Sequence, residues 1–172
     1  MNLQENIHRI KEMMGLREQE EKNLDTFIMV YPKGMGVEHG EGVPTSETHY
    51  IPLGNVLANE IFKDEDYFLN DENIQGMLTK LKGGEELKPI MVIQHPEDPD
   101  KFIVLDGHHR RYAYEKSDKF EIPVRIVEYD NILLSDENGK VLGPLNKLLG
   151  DRELLRQYFV SPMGTPLYTS QS

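Results

Sequence analysis

Residues 102–116 have the sequence FIVLDGHHRRYAYEK, and this stretch decides the fold. Its first four residues are apolar and predict a buried strand, and the residues after Gly107 predict a helix. A glycine between a strand and a helix lets the chain turn sharply and lets a ligand approach the backbone. Because the first N–H groups of a helix have no partner inside it, this junction is a candidate anion site.

The side chains beside the glycine add chemistry to that backbone site. Arg110 and Arg111 carry permanent positive charge, with donors that suit phosphate oxygens. His108 and His109 can donate hydrogen bonds or move a proton near neutral pH. Asp106, at the strand end, can hold a divalent cation, orient a histidine or bind a hydroxyl.

Each of these side chains also has an ordinary structural explanation. Asp106 can serve only as a helix cap. Two adjacent histidines on a helix face different directions, so we expect one of them to be structural or solvated. For one of the two arginines we expect a surface pair with Glu115 or a neighbouring acid. A zinc site is not expected, because adjacent histidines do not easily share a tetrahedral metal and the chain has no cysteine.

The composition limits the partners of the protein. Its 172 residues include 19 Lys or Arg and 30 Asp or Glu, so the net charge is −11. Such a surface repels nucleic acid unless positive charge is gathered in one place. The absence of cysteine excludes disulfides and thiol chemistry. No apolar run approaches the roughly 20 residues that span a bilayer, so we expect a soluble, cytoplasmic protein.

The segments before and after the junction predict further strands and a helix. Four short apolar runs have the length of strands: 27–30, 50–53, 89–93 and 122–127. Asp71 is placed to cap a helix that ends at Gly83 and Gly84. Residues 31–48 are rich in Gly, Pro, His and Glu, and predict a long loop.

Both ends of the chain predict additions to a central domain. Residues 1–23 predict a short amphipathic helix followed by a charged linker, with one apolar stripe at Leu3, Ile7, Ile10 and Met14. The domain is expected over residues 24–130. Residues 131–172 predict a hairpin around Asn138-Gly139, a helix over 145–159 that is interrupted at 150–151, and a loose tail of a dozen residues.

The order of these pieces resembles the ParB/sulfiredoxin superfamily. The D-G-H-H-R turn is preceded by L-K-P-I-M-V at 87–92 and followed by I-P-V-R-I-V at 122–127. The shared core runs from about residue 50 to 129, roughly half of the chain. The resemblance implies an α+β fold, with a small mixed β-sheet and flanking helices, and a phosphate-binding turn at Gly107.

The branches of the superfamily differ at this turn. Sulfiredoxins carry a cysteine where this chain has His108, so sulfinic acid reduction is excluded. Chromosome-partitioning ParB proteins have a G-E-R-R-x-R-A box; this chain keeps Gly107, Arg110 and Ala113 but has Tyr112 at the last arginine. The D-G-H-H-R form is similar to that of free-serine kinases, which phosphorylate a small hydroxyl compound from a nucleotide.

The kinase resemblance implies a nucleotide-dependent phosphotransferase or nucleotide hydrolase. ATP, ADP or CTP would be bound by the turn and the residues after it: Gly107, His108, His109, Arg110 and Arg111. Asp106 and His109 would be catalytic, and Asp106 would also be a ligand of Mg²⁺. The base of these kinases is a glutamate shortly after the first core strand. Its counterpart here is Glu60, with Asp64, Glu65 and Asp66 as alternatives.

Two other functions stay open. The first is a ParB-like DNA-binding or nuclease-type accessory protein, which the charge disfavours: residues 60–73 sum to −5 and residues 105–129 are neutral. The second is a non-catalytic nucleotide sensor that docks to a protein partner through its N-terminal helix.

Overall fold

The computed structural model describes residues 24–32, 36–59, 71–161 and 165–168. Within these residues the chain forms two mixed β-sheets and four α-helices, which confirms the predicted α+β class. The predicted N-terminal amphipathic helix and Glu60 lie outside the described residues.

The larger sheet has five strands in the order β3-β7-β5-β6-β4. Their bounds are Thr48–Pro52 for β3, Val56–Leu57 for β4, Ile90–Gln94 for β5, Phe102–Asp106 for β6 and Glu121–Ile126 for β7. Strand β6 is buried on both faces: Phe102 and Val104 belong to one apolar cluster, and Ile103 and Leu105 to another. A strand covered on both sides needs a continuous apolar run, which explains the sequence FIVL.

Two helices cover one face of this sheet, α1 over Glu72–Lys82 and α2 over His108–Lys116. As predicted, Asp71 caps α1: its carboxylate accepts hydrogen bonds from the N–H groups of Asn73 at 2.8 Å and Ile74 at 3.4 Å. The helix ends at Gly83. Tyr114 of α2 is buried, and its hydroxyl accepts a bond from the backbone N–H of Leu87 at 3.0 Å.

A second sheet of four strands, in the order β2-β1-β8-β9, packs toward the opposite face. Its strands are β1 at Ile28–Val30, β2 at Val37–His39, β8 at Ile132–Ser135 and β9 at Val141–Pro144. The expected long loop over 31–48 is therefore wrong in part. The segment Val37–His39 pairs antiparallel with β1 because the edge of that buried strand needs hydrogen-bond partners.

The C-terminal part of the chain contributes to the core between the sheets. Strand β1 pairs in parallel with β8, so this sheet joins segments on both sides of residue 130. The predicted hairpin is confirmed, with Gly139 at φ 85° in its turn. The predicted interruption of the last helix is confirmed too: α3 spans Leu145–Leu148, and α4 spans Arg152–Tyr158 with Asp151 as its cap.

The expectation of a loose C-terminal tail is wrong for residues 165–168. Tyr168 is buried in the core between the sheets, and the N–H of Leu167 donates to the carbonyl of Phe159 at 2.8 Å. His95 holds the same segment, because its Nε2 lies 2.8 Å from the carbonyl oxygen of Leu167. Among the described helices, none has the length and apolar character needed to cross a bilayer.

We expect Ile103→Ala to lower the free energy of unfolding by about 2–5 kcal/mol, because it leaves a cavity at a fully buried position of β6. The matched control is Phe120→Ala, which removes a side chain that is 77% exposed and should change stability by less than about 0.5 kcal/mol. Urea unfolding followed by circular dichroism measures both. Equal effects of the two substitutions would contradict the burial of β6.

Candidate nucleotide-binding site

The junction between β6 and α2 is an open bend made by Gly107. This residue has φ 111° and ψ 29°, a left-handed conformation that residues with a side chain rarely adopt. It is the N-cap of α2, and a glycine has no side chain with which to cap the helix. The helix dipole favours negative charge at this end of α2.

Arg110 lies over the bend and ties it to the chain before β5. A Cβ atom added to Gly107 would come within 3.0–3.1 Å of the Arg110 guanidinium, so a larger residue would have to displace that group by a few tenths of an ångström as well as adopt a strained conformation. Nη1 of Arg110 donates to the carbonyls of Pro89 at 2.8 Å and Lys88 at 3.2 Å. Nη2 lies 3.3 Å from Oδ2 of Asp106. Arg110 thus holds the bend together.

A β-bulge at the end of β6 sets the direction of Asp106. Val104 pairs with Val92 and Asp106 pairs with Met91, so β6 contains one extra residue, Leu105, between two pairs that are adjacent in β5. Bulges re-aim the side chains that follow them. Here Oδ2 of Asp106 lies 3.2 Å from Nε2 of His39, which is at the end of β2 in the second sheet.

A cavity of about 690 Å³ opens in front of the bend. Its walls come from β2, α1 and the β6–α2 junction, and the residues that matter here are Asn73, Gly76, Lys80, Gly107, His109 and Arg110. A volume of this size is typical of a small-ligand site. The sequence predicted α1 as a helix but did not connect this helix with the site. The pattern contained one signal, a glycine inside a capped helix: nothing lies within 4 Å of a Cβ added to Gly76.

The two histidines face different directions, as expected. His109 lines the cavity, and its Nε2 lies 4.0 Å from Oδ2 of Asp71. His108 is buried, and its Nε2 accepts a hydrogen bond from the N–H of Asn59 at 3.1 Å. Burial lowers the pKa of His108 to about 3, with further lowering by the charges of His109 and Arg111. The ring of His108 is therefore neutral at pH 7 and holds the backbone.

Asn59 joins three parts of the chain beneath the bend. Its backbone N–H donates to His108, and its side-chain oxygen accepts a bond from the N–H of Val160 at 2.9 Å. Glu60, the base implied by the family resemblance, is the next residue in sequence but lies outside the described residues, as do Asp64, Glu65 and Asp66.

The structure does not bring Arg111 to the cavity. Its Nε donates to the carbonyl of Val56 at 2.6 Å, and its Nη1 pairs with Glu115 at 3.2 Å. This is the surface pair that we expected for one of the two arginines. The guanidinium of Arg111 thus joins α2 to β4, the edge strand of the larger sheet.

The described residues do not fit a Mg²⁺ ion that the protein alone would hold. Mg²⁺ is usually bound by one or two carboxylates together with substrate phosphates. Asp106 is the carboxylate at the bend, and its Oδ2 is already in contact with Arg110 and His39. In the segments that the structure describes, no three His, Asp or Glu side chains are placed to hold a metal. This geometry does not support Asp106 as a metal ligand.

A mixed sheet with two helices on one face, and a glycine bend that leads into the second helix, defines an α+β domain of the ParB/sulfiredoxin type. The ParB N-terminal domain matches residues 38–135, more than half of the chain. The chain belongs to this family.

The chain is similar to two serine kinases and to a ParB protein. The chain is 31% identical over 107 residues to an ATP-dependent L-serine kinase of Staphylothermus marinus. This match covers 58% of the chain and 41% of the relative, so the chain spans less than half of that protein. A free serine kinase in complex with AMP is 20% identical, with a TM-score of 0.39 over 59% of this chain and 37% of the other. ParB from Caulobacter crescentus, complexed with CTP-gamma-S, is 18% identical, with a TM-score of 0.39 over 50% and 47%.

The lowered pKa of His108 predicts a loss of stability in acid. The unfolded chain takes up a proton at this residue near pH 6.5, whereas the folded chain does so only near pH 3. Proton binding therefore favours the unfolded state between these two pH values. From pH 7 to pH 5 we expect this group to lower the free energy of unfolding by about 2 kcal/mol. Urea unfolding of the wild type and His108→Gln at both pH values measures it.

Glutamine at position 108 keeps an acceptor for Asn59 but does not titrate. Between pH 7 and pH 5, the free energy of unfolding of the variant should therefore fall by about 2 kcal/mol less than that of the wild type. His109→Gln is the matched control, because its ring lines the open cavity. The same pH dependence in the wild type and in His108→Gln would show that His108 is not buried in its neutral form.

Proposed function

We propose that this chain binds a nucleotide at the Gly107 bend and transfers its terminal phosphoryl group to a small hydroxyl compound. The observation that carries the proposal is the glycine start of α2, where Gly107 and the first residues of the helix line the 690 Å³ cavity. Helix N-termini with a glycine bend are suited to phosphate, because several N–H donors and the helix dipole act on the same anion.

The charges of the cavity suit the phosphates of a nucleotide. Lys80 lies in the last turn of α1, and Arg110 lies in the first turn of α2, so one positive side chain stands on each side of the bend. Phosphoryl transfer depends mainly on positioning and on neutralising charge. The space above Gly76 leaves one wall open for the flat base of the nucleotide.

In the transfer step, the acceptor oxygen attacks the terminal phosphorus, and the bond from that phosphorus to the bridging oxygen breaks. The nucleoside diphosphate leaves with the electron pair of the broken bond. Asp106 orients the acceptor hydroxyl, and Glu60 takes its proton. The family resemblance supports this role for Glu60, because the base of the similar kinases is a glutamate shortly after the first core strand.

The Staphylothermus relative supports this class of reaction, since its name states ATP as the donor and serine, a hydroxyl compound, as the acceptor. The same geometry without turnover would make the chain a nucleotide sensor, and the experiment below separates the two.

Filling the cavity wall should block nucleotide binding without unfolding the protein. We expect Gly76→Leu to weaken nucleotide binding at least tenfold, because the new side chain occupies the open space above α1. Leucine favours a helix over glycine by roughly 0.5–1 kcal/mol, so the fold should be no less stable. Isothermal titration with ATP, ADP, AMP and CTP, with and without Mg²⁺, measures the affinity of each variant.

The matched control is Gly54→Leu, which also adds a side chain to open space but lies outside the cavity. It should bind nucleotide as the wild type does. Formation of ADP from ATP with a panel of small hydroxyl compounds then tests transfer. Binding without product formation would overturn the phosphotransferase and leave the sensor, and no binding of any nucleotide would overturn both.

A further inference from the structure

A second cavity, of about 540 Å³, lies on the other side of Asp106 and Arg110. These two residues line both cavities, so their ion pair forms the boundary between them. The other residues that matter in the second cavity are His39, Glu41, Lys88 and Arg125. The sequence analysis did not connect any of these four residues with a site.

The floor of the second cavity is a row of side chains across the larger sheet. Arg125 pairs with Met91, and Met91 with Asp106, so neighbouring strands place these three cavity residues on the same face. Thr48, which lies outside the cavity, continues the row beside Arg125. The bond from Nε of Arg125 to Oγ1 of Thr48, at 3.2 Å, agrees with this placement. Arg125 and Asp106 are two strand spacings apart, roughly 10 Å between their Cα atoms.

The second cavity carries an excess of positive charge in a protein with a net charge of −11. Asp106 is paired with Arg110. The other carboxylate that lines this cavity belongs to Glu41, and it stands against two cations, Lys88 and Arg125. Within the described residues, Lys88 and Arg125 form no ion pair. Two such cations on one side of a small cavity are suited to an oxyanion.

The wall opposite this floor is held in place by backbone contacts. A Cβ atom added to Gly40 would lie 1.9 Å from the Cα of Asp25, so the loop after β2 packs directly on the chain before β1. Ser46 closes the other end of the loop: its N–H donates to the carbonyl of Ile126 at 2.8 Å, and its Oγ accepts from the N–H of Ile126 at 2.9 Å. The cavity is therefore formed before any ligand binds.

We propose that the second cavity is the acceptor site and that the acceptor is a small hydroxyl compound bearing a carboxylate or a phosphate. Its oxyanion binds Arg125 and Lys88, and its hydroxyl lies at Asp106, where the nucleotide cavity begins. The spacing across the sheet suits a compound only a few atoms long. The role of this cavity as an acceptor site rests on the proposed function, whereas the binding of an anion there rests on the cavity alone.

The test uses the full chain and three probes of similar size: glycerate, glycerol 3-phosphate and glycerol. Titration calorimetry, with and without a non-hydrolysable ATP analogue, should show binding of at least one anionic probe and none of glycerol. Arg125→Gln and Lys88→Gln should each weaken that binding about tenfold, because each removes a charged hydrogen bond. Arg125→Lys should restore part of it.

The matched control is Lys119→Gln, an exposed residue after α2 that lines neither cavity. It should bind the anionic probe as the wild type does, and urea unfolding should show that every variant is folded. The ratio of the two anionic affinities tells carboxylate from phosphate recognition.

Equal anion affinity in the wild type and both glutamine variants, or equally tight binding of glycerol, would overturn this proposal even if nucleotide binds. If no nucleotide binds but the anion still depends on Arg125, the phosphotransferase fails and the anion site stands.

Discussion

The left-handed backbone at Gly107 is the constraint on which the rest of the site depends. Strand β6 is buried on both faces and cannot shift along its neighbours without exposing apolar side chains. The chain must therefore turn directly after Asp106, and only a glycine allows that turn under the guanidinium of Arg110. The position of α2, the direction of its N–H groups and the burial of His108 all follow from this turn.

The one extra residue in β6 places Asp106 between the two cavities. Without the bulge opposite Met91, the alternation of side chains along the strand would send Asp106 toward the helices with Val104. With it, the carboxylate meets His39 from the second sheet and separates the two cavities. The second sheet thus has a role in the site, since its strand β2 supplies His39 to the wall of the second cavity.

Most of the fold could be predicted from local patterns. The apolar run FIVL, the Asp71 cap and the break at Gly150 each have a local physical cause, and each is found where expected. Strand β2 could not be predicted, because VEH has no apolar alternation and exists through its pairing with β1. Tyr168 was missed for a similar reason, since its burial depends on a core formed by distant segments.

The candidate site could be predicted only where one continuous stretch forms it, from Asp106 to Arg110. Arg125, Gly76 and His39 join the site through strand register, helix orientation and a bulge, none of which a local pattern contains. The bonds of Asn59 to His108 and Val160 have a consequence for synthesis: the support beneath the turn is complete only after residue 160 has left the ribosome. A nascent chain that stops short of that point has the bend's full sequence but lacks one of its anchors.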